Sequence, residues 1–203
     1  MVAPPSMEPA VLEGTPEAFP YDEETLVARA KEVFETMTGL KDESVLADTF
    51  RFEFPIVSLD KDAYLKAVRG FQLTDAIPDM DAHPYDFRTD KYEPNRVWFT
   101  VRNTGTHTGE LKFGSKSYPA TGKEIKGAPE CLSYVFDEDL KVVSFTGGYV
   151  MDRRVGNTQG MGALFGILAA IGVNFPKPGT LAWTVLTLVN RVMTKIKSFF
   201  KKD

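Results

Sequence analysis

The spacing of apolar residues divides the chain into stretches of helical period, then strand alternation, then helical period again. Leu26, Ala30, Val33, Phe34 and Met37 recur at the three- and four-residue spacing of one helical face, with Asp22 placed to start that helix and Gly39 to stop it. A short second helix over residues 43–46 leads into Phe50-Arg51-Phe52-Glu53-Phe54, where side chains begin to alternate, and Pro55 closes that strand. Asp60 caps a third helix that carries Tyr64, Leu65, Val68 and Phe71 on one side. From there the pattern predicts strands over residues 85–90, 96–110, 124–127, 130–137 and 141–151. The two longest contain Gly105, Gly109, Gly147 and Gly148, which suits a bent sheet because glycine tolerates bulges and kinks. Helices followed by a run of antiparallel strands are the order of an α+β domain.

The two ends read differently. Residues 1–20 hold Pro4, Pro5, Pro9, Pro16 and Pro20 without an apolar period, the pattern of a flexible or wrapping arm. Residues 21–158 form the domain, and residues 159–203 a helical C-terminal extension. In that extension, residues 161–173 are almost wholly apolar, and Pro176-Lys177-Pro178-Gly179 interrupts them. Residues 180–200 then read as an amphipathic basic helix with a stripe of Leu181, Val185, Leu188, Val192, Ile196 and Phe199 or Phe200. Neither half makes a membrane span, the first being too short and the second carrying Asn190, Arg191 and Lys195. Two readings remain open: helices packed on the domain or in a dimer seam, or a helix lying on an anionic membrane surface through residues 180–203, with Trp183 and the lysines as anchors.

Composition narrows the function classes. At 203 residues the chain fits one domain with room for an extension, and 43% hydrophobic residues with 15 Phe provide for a bulky-walled core. A net charge of -4 argues against a nucleic-acid partner. Cys131 is the single cysteine, so an intramolecular disulfide is ruled out and an intracellular compartment is expected, the cytosol or an organelle. The first 20 residues lack a secretory pattern and are too acidic and proline-rich for an intact transit peptide; an organellar protein, in a plastid for example, would have lost its address upstream. Gly160-Met161-Gly162 is not followed by the Lys-Ser/Thr of a phosphate loop, and two distant histidines are a poor start for a metal site, so neither cofactor nor metal is expected.

Gly105-Thr106-His107-Thr108-Gly109-Glu110 and Pro119-Ala120-Thr121-Gly122-Lys123 stand in series with three other motifs: Leu46-Ala47-Asp48-Thr49-Phe50, Ala76-Ile77-Pro78-Asp79 and Asp137-Glu138-Asp139-Leu140-Lys141. Over residues 22–172 this series resembles the SnoaL-like branch of the nuclear-transport-factor-2-like (NTF2-like) superfamily. The resemblance implies an α+β cone, a strongly curved antiparallel sheet with N-terminal helices around an apolar pocket, here with extra C-terminal helices. Polyketide cyclases, ketosteroid isomerase, scytalone dehydratase and proteins that only bind share that fold, and a homodimer is a common arrangement among them. In the cyclases an acid/base Asp lies on the last strand and a His on the strand before it. Aligned on the 137–141 turn, these positions fall on Gly147 and Cys131, and glycine carries no proton, so the cyclase mechanism is not implied.

Other residues must then carry any chemistry. His107, in an apolar strand, is either a hydrogen-bonded structural group or a general acid/base, and alternation puts it on the face of Val97, Phe99 and Val101. Asp79 and Asp81, close in sequence to His83, are either solvated loop acids or carboxylates near the pocket mouth. Asp152 beside Arg153 and Arg154 reads as an ion-paired strand end, or together with Tyr149 as a base and donor to a carbonyl ligand. Cys131 reads as a small buried hydrophobe. Phe34, Phe54, Phe71, Phe99, Tyr134 and Tyr149 are the expected cavity wall. The function expected is binding of a mostly apolar small molecule without cyclase-type catalysis, in a membrane-associated or scaffold protein. The alternative is a cofactor-independent isomerase, cyclase or dehydratase that uses Asp79, His107, Tyr149 or Asp152.

Overall fold

The structure, a computed structural model, describes residues 19–55, 57–113, 116–174, 176, 179–185 and 188–189. Helix α1 (Glu23–Glu35) starts where the sequence predicts, with the Asp22 carboxylate accepting the Thr25 N–H at 2.9 Å. It buries Leu26, Ala30 and Val33. It stops short of Gly39, because Met37, Thr38 and Gly39 all take left-handed φ values of 54°, 50° and 88°. Met37, expected on the buried face, therefore lies beyond the helix and is exposed.

A 3-10 turn (Glu43–Val45) leads into β1 (Leu46–Phe54). A strand the sequence did not announce, β2 (Val57–Asp60), folds back on β1 with Phe54 opposite Val57. Asp60 caps α2 (Lys61–Phe71) by accepting the Ala63 N–H at 2.9 Å, and the short α3 (Leu73–Ala76) follows. The strands after it are β3 (Tyr85–Thr89), β4 (Arg96–Val101), β5 (Thr104–Thr106), β6 (Leu111–Phe113), β7 (Lys116–Tyr118), β8 (Glu124–Lys126), β9 (Glu130–Phe136) and β10 (Val142–Val150), and α4 (Ala163–Ile171) succeeds them.

Six strands form the main sheet in the order β2-β1-β10-β9-β4-β3. The expected antiparallel pairing holds at four of its five seams; β1 and β10, far apart in sequence and free of any hairpin constraint, pair parallel. Register shifts in β1, β3 and β10 bend the sheet. The second of two shifts in β10 spans Gly147-Gly148, where Gly148 has φ 82° and a Cβ would sit 1.8 Å from the Phe54 ring, so only glycine fits.

The single strand predicted over 96–110 is broken. Past Val101 the chain leaves β9: Arg102 N–H donates to the Ala82 carbonyl, and Thr104 exchanges both backbone bonds with Asp81. β5 thereby enters a separate two-stranded sheet with β8, while β6 and β7 make a hairpin of their own.

Two cores result. Val97 and Phe99 from β4, Leu132, Tyr134 and Phe136 from β9, Phe145 from β10 and Phe50 from β1 pack with Leu26, Ala30 and Val33 of α1 and with Tyr64 and Leu65 of α2. A second cluster joins Ala76, Ile77, Leu111 and Ile125 to Leu164, Ile167, Leu168 and Ile171 of α4. The apolar first half of the C-terminal extension is thus packed on the domain. In its amphipathic second half, residues 181–185 and 188–189 are helical. The remainder of that predicted helix, and the arm over residues 1–18, lie outside the described residues.

Candidate functional site

The bulge in β3 shapes a groove. Asp86 takes a left-handed φ of 58°, and the register slips between Tyr85 and Arg88. Phe87 stacks on Phe99 with centroids 4.9 Å apart and planes 9° from parallel, and Phe34 of α1 meets the same ring edge-on at 5.6 Å. Between α1 and β3 lies a groove of about 530 Å³ lined by Lys31, Phe34, Glu35, Pro84, Tyr85, Asp86 and Phe87. Its lining is apolar at Phe34, Pro84, Tyr85 and Phe87 and charged at Lys31, Glu35 and Asp86, and the Lys31 ammonium stands 5.7 Å over the Phe87 ring.

Of the expected cavity wall, Phe34 lines this groove, Phe99 lies against both Phe34 and Phe87, and Tyr134 is one ring further in, 4.9 Å from Phe99. The other wall residues are elsewhere. Phe54 stacks on Phe52 and Phe165, and Phe71 packs with Phe113 beside the second core. Tyr149 is largely exposed, opposite Cys131 in the β10–β9 register. Phe50, Phe52, Tyr64, Phe145 and Tyr134 pack ring to ring inside the main sheet, so the interior of the cone is occupied by its own side chains.

The predicted acid/base residues do not converge. Asp79 accepts the Thr106 N–H at 2.7 Å and the Thr106 hydroxyl at 2.9 Å, and these bonds, the backbone one first, hold its carboxyl below the usual range. It ties the loop after α3 to β5, and Asp81 and His83 continue the tie: His83 Nε2 lies 2.9 Å from the Thr104 hydroxyl. Asp152 is paired with Arg154 at 3.0 Å, and hydrogen bonds from the Arg154 side chain and backbone pull its pKa down to about 2.

His107 is fully buried, with Nδ1 3.0 Å from the Thr121 hydroxyl and Nε2 without a partner among the described residues. Burial lowers its pKa and favours the neutral ring. Alternation with Val97, Phe99 and Val101 does not extend to it, because the chain turns out of the main sheet at Arg102 and His107 pairs with Lys123 in the line of β8.

Two polar arrangements escaped the sequence reading. Glu130 on β9 is only 4% exposed; its two carboxylate oxygens accept the Gly148 and Ala163 N–H groups, each at 2.7 Å. One acid thus joins the β10 bulge to the start of α4, and its burial raises its pKa against the pull of those two bonds. In β9, Glu130 is followed by Cys131 and Leu132, and only its two-residue alternation with Leu132 and Tyr134 marked it as an inward-facing acid. The other is Thr38, whose left-handed backbone places its hydroxyl 2.6 Å from Tyr134 OH and its carbonyl 3.2 Å from Tyr64 OH. Burial raises both phenols, so they remain neutral hydrogen-bonding groups.

Gly147 lies on β10 and Cys131 on the adjacent β9. A Cβ at Gly147 would make ordinary contacts with Leu132 and Phe145 at 3.7 Å. Cys131 is half-buried on the sheet face away from Leu132, and burial raises its thiol. Among the described residues no group of three or more His, Cys, Asp or Glu side chains is arranged to hold a metal ion.

No protein-family model and no curated protein matches the sequence. Solved structures do match the fold. A protein from Jannaschia sp. CCS1 assigned as a SnoaL-like polyketide cyclase superposes with a TM-score of 0.53 at 15% identity, over 79% of this chain and 99% of that one. AclR from Streptomyces galilaeus, assigned as a hydroxylase, superposes with a TM-score of 0.50 at 16% identity, over 75% of this chain and 96% of that one. The chain has the SnoaL-like, NTF2-like α+β cone fold, with an open sheet.

Proposed function

We propose that the protein binds a mostly apolar small molecule at the aromatic groove between α1 and β3, without cyclase-type acid/base catalysis. The observation that carries this reading is the continuous ring stack from Phe34 and Phe87 at the groove through Phe99 to Tyr134. A groove of about 530 Å³ lies within the range of about 300–1,000 Å³ common for small-molecule sites, and apolar walls with a few charged groups suit a ligand with one polar end. Lys31 is the natural partner for an anionic or electron-rich end, with Glu35 and Asp86 setting the opposite sign beside it.

The dispersal of the acid/base candidates supports the non-catalytic half. Asp79 and Asp152 are engaged in local clamps, Tyr149 faces outward, and His107 is buried in another part of the fold.

Native mass spectrometry of the purified protein would reveal a molecule that travels with it. Titration with an apolar fluorescent probe, 8-anilinonaphthalene-1-sulfonate, then locates the site: Phe34→Gln should weaken probe binding at least about tenfold while the far-ultraviolet spectrum stays native. Unchanged affinity in that variant, or recovery of the bound molecule in a chemically altered form after incubation, would overturn the reading.

A further inference from the structure

The geometry points to a small aromatic zwitterion, of the aromatic amino acid class, as the occupant of the groove between α1 and β3. This inference deepens the binding reading above and rests on it. The rings of the groove come from Phe34, Tyr85 and Phe87, with Phe34 and Phe87 half-buried and Tyr85 at the exposed rim. A flat ring can lie against such walls stacked or edge-on, the two arrangements that Phe99 already makes with Phe87 and Phe34 from below.

Three charged side chains stand among these rings, and their own partners decide the head group. Asp86 is taken: Arg88 Nη1 donates to its carboxylate at 2.8 Å. Lys31 and Glu35 are not. Among the described residues neither the Lys31 ammonium nor the Glu35 carboxylate has an ion-pair or hydrogen-bond partner; Lys31 stands over the Phe87 ring, and Lys41 Nζ donates to the backbone carbonyl of Glu35, at 3.3 Å. The two lie one turn apart on α1, about 6 Å along its axis, yet do not pair with each other. A lysine that precedes its acid by four residues is the weaker order of such a pair, and the face of Phe87 competes for the ammonium.

Two opposite charges a turn apart beside aromatic walls select by charge complementarity. A ligand with a lone carboxylate would meet Lys31 but sit beside Glu35 as a like charge, and a lone ammonium would meet Glu35 with Lys31 beside it. A head group that carries both sets its carboxylate on Lys31 and its ammonium on Glu35, each through a charge-assisted hydrogen bond. Drawing Lys31 toward the head group also uncovers the face of Phe87 that its ammonium stands over, while Phe99 keeps the other face. The ring of the ligand takes the uncovered face, so the same side chain that reads the carboxylate makes room for the aromatic end.

The test is titration of the full chain with four compounds that share a phenyl ring and differ in head group: phenylalanine, 3-phenylpropionate, 2-phenylethylamine and 2-phenylethanol. Amide chemical shifts of residues 31–35 and 85–87 report binding at the groove. Phenylalanine should bind at least about threefold tighter than each of the other three. Glu35→Gln should abolish its advantage over 3-phenylpropionate, and Lys31→Met its advantage over 2-phenylethylamine. Both side chains are exposed, so the thermal midpoint should hold in each variant. Equal affinity for all four compounds, or a preference for a singly charged one, would overturn the inference and leave the groove reading standing. Binding of the anilinonaphthalene probe at Phe34 with none of the four compounds would do the same. Survival of both preferences in the two variants would overturn it by placing the head group elsewhere. If neither the probe nor any compound depends on Phe34, the groove reading falls and this inference with it.

Discussion

Rings close the core under α1, while aliphatic chains and polar clamps close the one under α4. In the first, Phe99 touches Phe34, Phe87 and Tyr134, and the Thr38 contacts to Tyr134 and Tyr64 are hydrogen bonds embedded within it. In the second, Ile77, Leu111, Ile125 and Leu168 are surrounded by directional ties. Lys123 Nζ donates to the Ile171 carbonyl at 2.9 Å, the Asn157 side chain bridges Lys126 N–H and the Glu124 carbonyl, and Glu130 joins β10 to α4. Burial of apolar area is non-directional and stabilises many arrangements alike. The clamps, each satisfied in one geometry only, fix where α4 and the β5–β8 arm sit. Stability thus concentrates in one core and docking specificity in the other.

The largest effect is expected in the ring core. Phe99→Ala should lower unfolding free energy by about 3–5 kcal/mol, since a fully buried ring with three aromatic neighbours leaves a cavity that they fill poorly. Leu168→Ala in the other core is the matched control, also fully buried, and should cost less. Urea unfolding of both variants decides it: a smaller loss at Phe99 than at Leu168 breaks the contrast.

Glu130 comes next. Glu130→Ala leaves the Gly148 and Ala163 N–H groups inside the protein without their acceptor, a loss of about 1–3 kcal/mol in total after the burial cost of the acid is relieved. The same residue gives a pH signature. Its folded pKa is raised above the ordinary 4.5, so the folded state binds the proton more tightly than the unfolded chain. Its contribution is fully present below 4.5 and is lost as pH rises through the folded value. Unfolding measured across that window should show the decline in the parent and its absence in Glu130→Gln; parallel profiles would remove Glu130 from the account.

His107 should act with the opposite sign and smaller size. Burial lowers its folded pKa below 6.5, so the stability it confers is present above 6.5 and is lost as pH falls through the folded value. His107→Gln should flatten that acid limb and cost about 0.5–1.5 kcal/mol at neutral pH through the altered bond to Thr121. If the parent and variant lose stability equally between neutral and mildly acid pH, the ring is not the group responsible.

The contrast between the cores is also a contrast in what sequence can convey. Asp22 and Asp60 could be read as helix caps because each precedes an apolar helical period, and strands over residues 96–101 and 130–136 were legible, but Phe99 and Tyr134 were expected to wall a cavity and instead lie fully buried in the ring core. The broken strand at Arg102 was hidden, since the residues after it still alternate and the bonds that divert them come from Asp81 and Ala82, twenty residues away in sequence. Parallel pairing of β1 with β10 left no local sign either, because it depends on the path of the sheet and not on a turn. Among the candidate residues, Asp152 with Arg154 was legible as an ion pair because the partners are neighbours. Glu130 was not, because its partners are backbone groups of Gly148 and Ala163, which have no sequence signature.

The smallest effect is expected at Asp79, and it bears directly on the division between clamps and chemistry. Its carboxylate holds Thr106 by backbone and hydroxyl, and the residue is exposed, so water can replace much of what a substitution removes. The folded pKa is lowered from 3.8, so the carboxylate's contribution is present above 3.8 and is lost as pH falls through the folded value. Asp79→Asn keeps one acceptor oxygen and removes the charge. Amide hydrogen exchange should therefore quicken at Thr106, and at Thr104 beside it on β5, while the global urea midpoint moves little. Faster exchange throughout the main sheet would make Asp79 part of the global core. Unchanged exchange at Thr106 would show that the clamp does not hold β5, and would return Asp79 to the residues that are free to act on a ligand.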